Sequence, residues 1–338
     1  MSKSVDATTL KAMLNDGGEL ALLDVREEGQ FGIAHMLYAI PLPYSMLEMR
    51  LGILVPRRST RTVLIDSGNG VGSRAAARMA ALGYTDVAVL DGGMDAWGAA
   101  GYEVFKGVNV PCKAFGEVIE HAAHTPSISP EELHAMQAAE DKVVVLDGRT
   151  PAEFNRMSIP QGVSVPNAEL VYRVHDFVTD PDTTVVVNCA GRTRSIIGAQ
   201  TLINAGLPNR VVALRGGTMG WRLAGFQLDN GSERTYGALS DAAQRTALDR
   251  AAHIQSHWGV RTVDRQTLET WRKDPARTTY LLDVRSEEEY TAGHMLGSVF
   301  APGGQLVQSS DQWCGTKGAR VVLLDEDANV RAVTTAYW

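Results

Sequence analysis

Val145-Leu146-Asp147-Gly148-Arg149 is an apolar run that ends in Asp-x-Arg, and the chain contains this pattern three times. Leu22-Leu23-Asp24-Val25-Arg26 and Leu281-Leu282-Asp283-Val284-Arg285 repeat it, and each run passes into a polar, helix-prone stretch. A second apolar run follows in every case: Val63-Leu64-Ile65, Val185-Val186-Val187-Asn188 and Val321-Val322-Leu323-Leu324. Asp66, Cys189 and Asp325 each stand 42 residues after the first Asp of their unit. Equal spacing without a gap is the mark of an internal repeat.

Units one and two continue alike. A Gly- or Arg-rich turn leads into an Ala-rich amphipathic segment, Arg74 to Leu82 or Ser195 to Ala205. Gly83 or Gly206 closes it, as suits a helix C-cap. A third apolar run comes next (Val87 to Leu90, Val211 to Leu214), then Gly92-Gly93 or Gly216-Gly217, then Trp97 or Trp221. Short all-apolar runs alternating with helical patterns imply buried parallel strands joined by crossover helices. The fold class is therefore α/β, with tandem domains that are each a small parallel β-sheet with helices on both faces. Domain one is placed at 5–105, a linker with Cys112, His121 and His124 at 106–126, and domain two at 127–227. A second linker, helical from Leu239 to Ile254, takes 228–258, and domain three takes 259–338. The third unit stops before its closing strand and Gly-Gly turn, so it reads as truncated relative to a natural protein, or as completed from elsewhere. An uncovered sheet edge and apolar face would make it the least stable part.

The 338 residues are 44% apolar and 21% charged, with a net charge of -7. Such a composition excludes wholesale disorder, and the acidic balance argues against a nonspecific nucleic-acid binder. Three cysteines cannot make a disulfide framework, so a reducing compartment is the simpler reading. The N-terminus lacks an apolar h-region, and no apolar run approaches the roughly 20 residues needed to span a bilayer. A cytoplasmic, soluble protein without membrane or nucleic-acid partners is expected, with homo-oligomerisation left open.

The chemistry concentrates at Cys189-Ala190-Gly191-Arg192-Thr193-Arg194-Ser195. This loop leaves a buried strand and feeds a helix, whose N-terminus offers free N–H groups and the positive end of a dipole. A tight loop there turns N–H groups inward as an anion cradle, and a thiol in it is favoured as the nucleophilic thiolate. Arg192 and Arg194 add positive charge, and Gly191 permits close backbone approach. A cysteine ending a buried strand is usually only a small hydrophobe; two arginines, a glycine and the strand–loop–helix setting reverse that weighting.

The order Asp-x-Arg, strand, Cys loop closing in Arg-Ser, helix, Gly, strand, Gly-Gly, Trp resembles the rhodanese (thiosulfate sulfurtransferase) family over nearly the whole chain. The resemblance implies a sulfurtransferase in which Cys189 accepts a sulfane sulfur as a persulfide and passes it to cyanide or a thiol. It implies a cradle from Ala190, Gly191, Arg192, Thr193, Arg194 and Ser195, with Arg149 also in the substrate site. Arg194 and Arg192 would bind a small anionic donor, and Asp147 would support the loop. No cofactor is implied, because the intermediate is a covalent persulfide. Cysteine phosphatases of related fold use Cys-x5-Arg. Cys189 to Arg194 is Cys-x4-Arg, preceded by Asn188 rather than His, which favours sulfur transfer. Two arginines favour thiosulfate over mercaptopyruvate. The alternative is a redox-sensing or regulatory scaffold without significant turnover.

Three features depart from the family pattern. Asp66 and Asp325 replace the nucleophile, in Asp66-Ser67-Gly68 and Asp325-Glu326-Asp327, so domains one and three read as inactive. Arg74 and Arg331 would pair with those carboxylates. The family's Gly-His-Ile-Pro-like segment keeps its His as His35 and His294, while domain two has Met157-Ser158-Ile159-Pro160. Outside the repeat, His121/His124 and His253/His257 read as solvated linker residues rather than metal ligands. Cys112 and Cys314 read as surface thiols, with a sulfur relay through one of them as the lesser alternative. Met46, Leu47, Met49 and Leu51 read as packing against domain one.

Overall fold

The computed structural model describes residues 3–326 and 328–338. Met1, Ser2 and Asp327 lie outside the described residues, so the reading of the extreme N-terminus and part of the third loop falls there.

Unit one holds strands β1 (Lys3–Val5), β2 (Leu20–Asp24), β3 (Ile40–Pro41), β4 (Thr62–Ile65) and β5 (Val87–Leu90). Its helices are α1 (Ala7–Asn15), α2 (Glu28–Ile33), α3 (Leu47–Leu54), α4 (Val71–Ala81) and α5 (Gly93–Ala99). Helix α6 (Val110–Ala123) follows. Unit two holds β6 (Ser127–Ile128), β7 (Val143–Asp147), β8 (Val163–Ser164), β9 (Thr184–Asn188) and β10 (Val211–Leu214). Helices α7 (Pro130–Ala138), α8 (Pro151–Arg156), α9 (Leu170–Phe177), α10 (Thr193–Asn204) and α11 (Gly217–Leu223) surround them. After α12 (Asp241–Trp258), unit three holds β11 (Thr279–Asp283), β12 (Val299–Phe300), β13 (Thr316–Lys317) and β14 (Arg320–Leu324). Its helices are α13 (Arg265–Lys273), α14 (Glu287–Ala292), α15 (Gly303–Gln308) and α16 (Val330–Tyr337).

The strands of each unit pair in parallel. Unit one orders them β1-β5-β4-β2 with β3 beyond β2; unit two orders them β6-β10-β9-β7-β8; unit three orders them β12-β11-β14. Successive residues of a strand point to opposite faces, and two cores result. In unit one Leu20, Leu22, Val63 and Ile65 join one core, while Ala21, Leu23 and Leu64 join the other. In unit two Leu146, Val185 and Val187 face one side and Val145 and Val186 the other. Helices therefore cover both faces. The helix starts are set locally: Ser129 and Glu132, Thr150 and Glu153, and Ser286 and Glu289 each form a capping box. Gly206, at φ +74°, follows the last turn of α10.

The sequence places an apolar face of unit three against nothing; the structure places it against unit two. Val330 and Val333 of α16 are buried in the same core as Leu170, Val174 and Ala247 of α9 and α12. Trp338 Nε1 donates to Thr201 Oγ1 of α10 at 2.7 Å. The other tie runs to unit one, where β13 pairs antiparallel with β2, Thr316 facing Ala21 and Lys317 facing Leu20. The stretch 106–126, read as a linker, is largely the helix α6. Leu47 and Leu51 pack inward as expected, but Met49 is 72% exposed and Met46 37%. No helix among the described residues is long and apolar enough to cross a membrane.

Candidate active site

Cys189 directly follows β9, a strand buried along its whole length near the middle of the unit two sheet. The C-terminal ends of parallel strands are where open α/β sheets bind ligands. Two layers hold the loop from below. On one side Gly217 and Thr218 seat the Cys189 carbonyl: Thr218 N–H donates to it at 2.8 Å and Thr218 Oγ1 at 3.1 Å. Gly217 sits at φ +53°, and a β-carbon there would run into the Cys189 carbonyl oxygen and within 2.9 Å of Gly191 N. Only glycine meets both conditions.

On the other side stands Asp147. It accepts from Arg149 Nε at 2.8 Å and Nη2 at 2.7 Å, and from Asn188 Nδ2 at 2.6 Å. Asn188 Nδ2 also reaches Thr218 Oγ1 at 3.2 Å, which joins the two layers. Arg149 gives its remaining reach to the Met157 carbonyl at 2.7 Å and is 3% exposed. Arg26 and Arg285 repeat the same pairing with Asp24 and Asp283 and with the Ala34 and Gly293 carbonyls. Arg149 is thus turned into the scaffold, and its assignment as a substrate contact is corrected to a brace. His35 and His294 are local braces too, each within hydrogen-bond distance of the carbonyl four residues earlier. Ser158 replaces them in unit two and is fully buried.

Within the loop, the Cys189 thiol is buried and donates to Ser195 Oγ at 3.6 Å; Ser195 Oγ donates onward to the Arg192 carbonyl at 2.7 Å. The first N–H groups of α10, from Thr193 onward, face this end of the helix and have no intrahelical acceptor. Asn167 fastens the loop from the side by donating to the Arg194 carbonyl at 2.9 Å. It fits because Gly148 and Gly198 lack side chains: a β-carbon on either would collide with Asn167 Oδ1.

The two arginines are not free cations. Arg194 is buried and forms a two-pronged pair with Glu153, both contacts at 2.7 Å. Burial alone would raise the Glu153 carboxyl, but the hydrogen bonds and charge of Arg194 outweigh it and hold Glu153 at about 2. Arg192 is exposed and reaches Glu117 at 2.5 Å and also Glu120, both on α6. The positive local field expected around Cys189 is therefore largely compensated. The attraction for an anion rests on the helix N-terminus and on the ease with which Arg192 can change partners, since exposed ion pairs contribute only about 0–1 kcal/mol.

The same position is filled differently in the other units. In unit one the Asp66 carboxylate accepts from Gly68 N at 2.8 Å and Gly72 N at 2.9 Å. In unit three Asp325 accepts from Glu326 N at 2.9 Å, Arg331 N at 2.8 Å and Ala332 N at 3.0 Å. Arg331 pairs with Asp325 as expected, Nε to Oδ1 at 2.9 Å; Arg74 instead lies over the Tyr44 ring, 5.6 Å from its centre.

Sequence reasoning missed Glu153, Asn167, Thr218 and the two α6 glutamates. Glu153 alone had a readable signal, because it and Glu289 both stand six residues after the Asp of Asp-x-Arg. Cys112 was misplaced as a surface thiol: it is buried, on the first turn of α6. Cys314 is partly buried against the unit three core. The described residues contain no group of three or more His, Cys, Asp or Glu arranged to hold a metal.

The rhodanese-like domain matches residues 6–100 and 129–224. The chain belongs to the rhodanese-like family. A protein called sulfurtransferase from Allochromatium vinosum is 32% identical over 101 residues, 30% of this chain and 92% of that one. Among solved structures, thiosulfate sulfurtransferase from Pseudomonas aeruginosa is 51% identical and superposes with a TM-score of 0.97 over 99% of this chain. This chain spans 64% of the length of that protein. Both rhodanese-like segments include the strand-end loop, and only the loop of 129–224 presents a thiol there.

Proposed function

We propose that this protein is a sulfurtransferase that carries a sulfane sulfur as a persulfide on Cys189. One observation carries the reading: a buried thiol stands where the sister loops hold a carboxylate by backbone N–H groups. A site built to hold an anion thus holds a nucleophilic sulfur instead. The 51% identity to a thiosulfate sulfurtransferase supports thiosulfate as donor.

The Cys189 thiolate attacks the outer sulfur of thiosulfate. A new S–S bond forms, the bond to the sulfonate sulfur breaks, and sulfite leaves with the electron pair. The persulfide anion then sits in the cradle from Ala190 to Ser195. Cyanide or an external thiol attacks the outer sulfur and returns Cys189 as thiolate. Ser195 orients the thiol, and Asp147, Asn188 and Thr218 hold the strand end that presents it. Arg192 recruits the donor by exchanging Glu117 and Glu120 for it, while Arg194 shapes the loop through Glu153. A reducing cytoplasm suits a chain with three free cysteines.

Steady-state thiocyanate formation, with thiosulfate against mercaptopyruvate, tests this on wild type and Cys189→Ala. Turnover with thiosulfate that vanishes in Cys189→Ala is the expected result. Wild-type turnover by Cys189→Ala overturns the assignment.

A further inference from the structure

Asn167, whose Nδ2 donates to the Arg194 carbonyl at 2.9 Å, opens a short 3-10 turn, Asn167–Glu169. Its Oδ1 is buried and takes no hydrogen bond among the described residues. The side chain is therefore not fixed through its own oxygen. Its reach to the loop is set by where the turn itself sits.

Unit three sets that place. Arg331, near the start of α16 and fully buried, donates through Nη1 to Glu169 Oε1 at 2.9 Å. Arg173 takes the other oxygen, Nε to Oε2, also at 2.9 Å. Gly303 and Gly304 of α15 press on the same turn. A β-carbon on Gly303 would stand 2.9 Å from Ala168 Cβ, and one on Gly304 3.2 Å from both Asn167 Cβ and Asn167 N. Ala168 and Glu169 are buried. The contact joins equivalent positions of the repeat, because Asn167 and Gly303 each stand 20 residues after the Asp of their Asp-x-Arg. Tyr44 holds that position in unit one, where the turn Tyr44–Met46 is exposed. Of units one and two, the one whose loop carries the thiol is the one whose turn is covered.

We propose that unit three holds the unit two loop in working geometry, with Arg331 and Glu169 as positioning residues that act on Cys189 through Asn167. This rests on the reading of Cys189 as the sulfur carrier. The Arg194 carbonyl lies in the first turn of α10, so holding it aims the first N–H groups of that helix. Hydrogen bonds weaken steeply as their angle closes, and a reacting group slightly out of place loses rate while the fold survives. Unit three, with a carboxylate where the thiol would stand, serves the chemistry without performing it.

The test compares Glu169→Gln with Asp325→Ala in the full chain. One readout is thiocyanate formation from thiosulfate and cyanide. The other is the rate at which iodoacetamide alkylates Cys189, followed by peptide mass spectrometry. Glu169→Gln keeps the side-chain shape and removes the charge that Arg331 grips. It is expected to lower kcat by roughly 3- to 10-fold and to slow alkylation of Cys189. KM for thiosulfate should stay within about two-fold, as for a group that acts on the reacting loop rather than on donor binding. Asp325→Ala loosens Arg331 from the other side, leaves its pair with Glu169 in place, and is expected to keep both rates. In an Asn167→Ala background, Glu169→Gln should cost nothing further, since two contacts in series do not add. Wild-type kcat and alkylation in folded Glu169→Gln overturn the proposal. Equal losses in Asp325→Ala also overturn it, since the effect then follows the stability of the interface, and so does a full further loss in the Asn167→Ala background. If Glu169→Gln does not fold, Gly304→Ala, which pushes on Asn167 from unit three, takes its place under the same expectations. Absence of thiocyanate formation in wild type overturns the carrier reading of Cys189, and the alkylation rates then decide the positioning on their own.

Discussion

Units two and three bring a central strand to the same point and then treat the loop in opposite ways. In unit three, Asp325 folds its carboxylate back onto the N–H groups of Glu326, Arg331 and Ala332, and Arg331 closes over it. The anion that the cradle attracts is built into the chain. In unit two a neutral-sized thiol takes that place, and the following arginine turns away to Glu153. The clamp itself is common to both: Arg331 also grips Glu289, at 2.6 and 3.0 Å, as Arg194 grips Glu153. What differs is whether the loop satisfies itself or waits for a ligand. A carboxylate satisfies the loop N–H groups from within the chain, and on the proposed reading the thiol leaves them for the persulfide.

The sharpest way to break this contrast is Cys189→Asp, which gives unit two the residue of its sisters. Thiocyanate formation should fall to background, because a carboxylate cannot carry a sulfane sulfur. Unfolding stability should rise by about 1 kcal/mol, the scale of an anion placed at a helix N-terminus. Denaturant unfolding beside the activity assay reads both. A variant that loses activity and is also less stable would mean that the unit two cradle is not shaped for an anion.

The reverse change, Asp325→Ala, should cost stability and little else. It strips an acceptor from three N–H groups and leaves Arg331, which is fully buried, to Glu169 and Glu289, with Glu326 farther off at 3.8 Å, among the described residues. Breaking a buried pair from one side typically costs about 3–5 kcal/mol. Because α16 shares the core of unit two, the loss should appear in one transition with unit two rather than as a separate melting of unit three. Two resolved transitions would show that the units are less tightly joined than the shared core implies.

Much of this was legible because it is local. Apolar runs of strand length, Asp-x-Arg, the constant spacing to Asp66, Cys189 and Asp325, and the Gly-Gly turns all report on the unit that contains them. What stayed hidden depends on how units meet. Nothing in the pattern around Arg192 says that α6 folds beside α10 with Glu117 and Glu120 in reach. Thr316 and Lys317 carry no sign that they extend the sheet of unit one. Cys112 looks like a linker thiol until α6 forms, packs against α10 and buries it. Arg194 lay between the two cases: its partner Glu153 belongs to a visible Thr-x-x-Glu cap, yet the cap alone does not say that the carboxylate serves an arginine as well.

That shared clamp makes a prediction of its own. Burial raises Glu153 and Glu289, but their arginines outweigh it, and both fall from 4.5 to about 2. Groups depressed on folding stabilise above their unfolded value and lose that contribution as protons bind. Stability should therefore be level above about pH 4.5 and decline toward about pH 2. Glu289→Gln should lower stability at neutral pH and flatten the acid decline, read by urea unfolding across that window. An unchanged decline would place the acid sensitivity elsewhere.

The smallest effect is expected at Arg192, and it separates the two arginines of the loop. Arg194 is buried and committed to Glu153, so removing it strands a carboxylate and distorts the cradle. Arg192 is exposed, and its pairs with Glu117 and Glu120 are of the kind that cost little to exchange. Arg192→Ala should therefore raise KM for thiosulfate by a few-fold at low salt, leave kcat nearly unchanged, and leave unfolding stability within about 0.5 kcal/mol. Added salt should shrink the difference from wild type, because a solvent-facing attraction is screened over about 10 Å at 0.1 M. A fall in kcat with KM unchanged would put Arg192 in the reaction itself and take donor recruitment away from it.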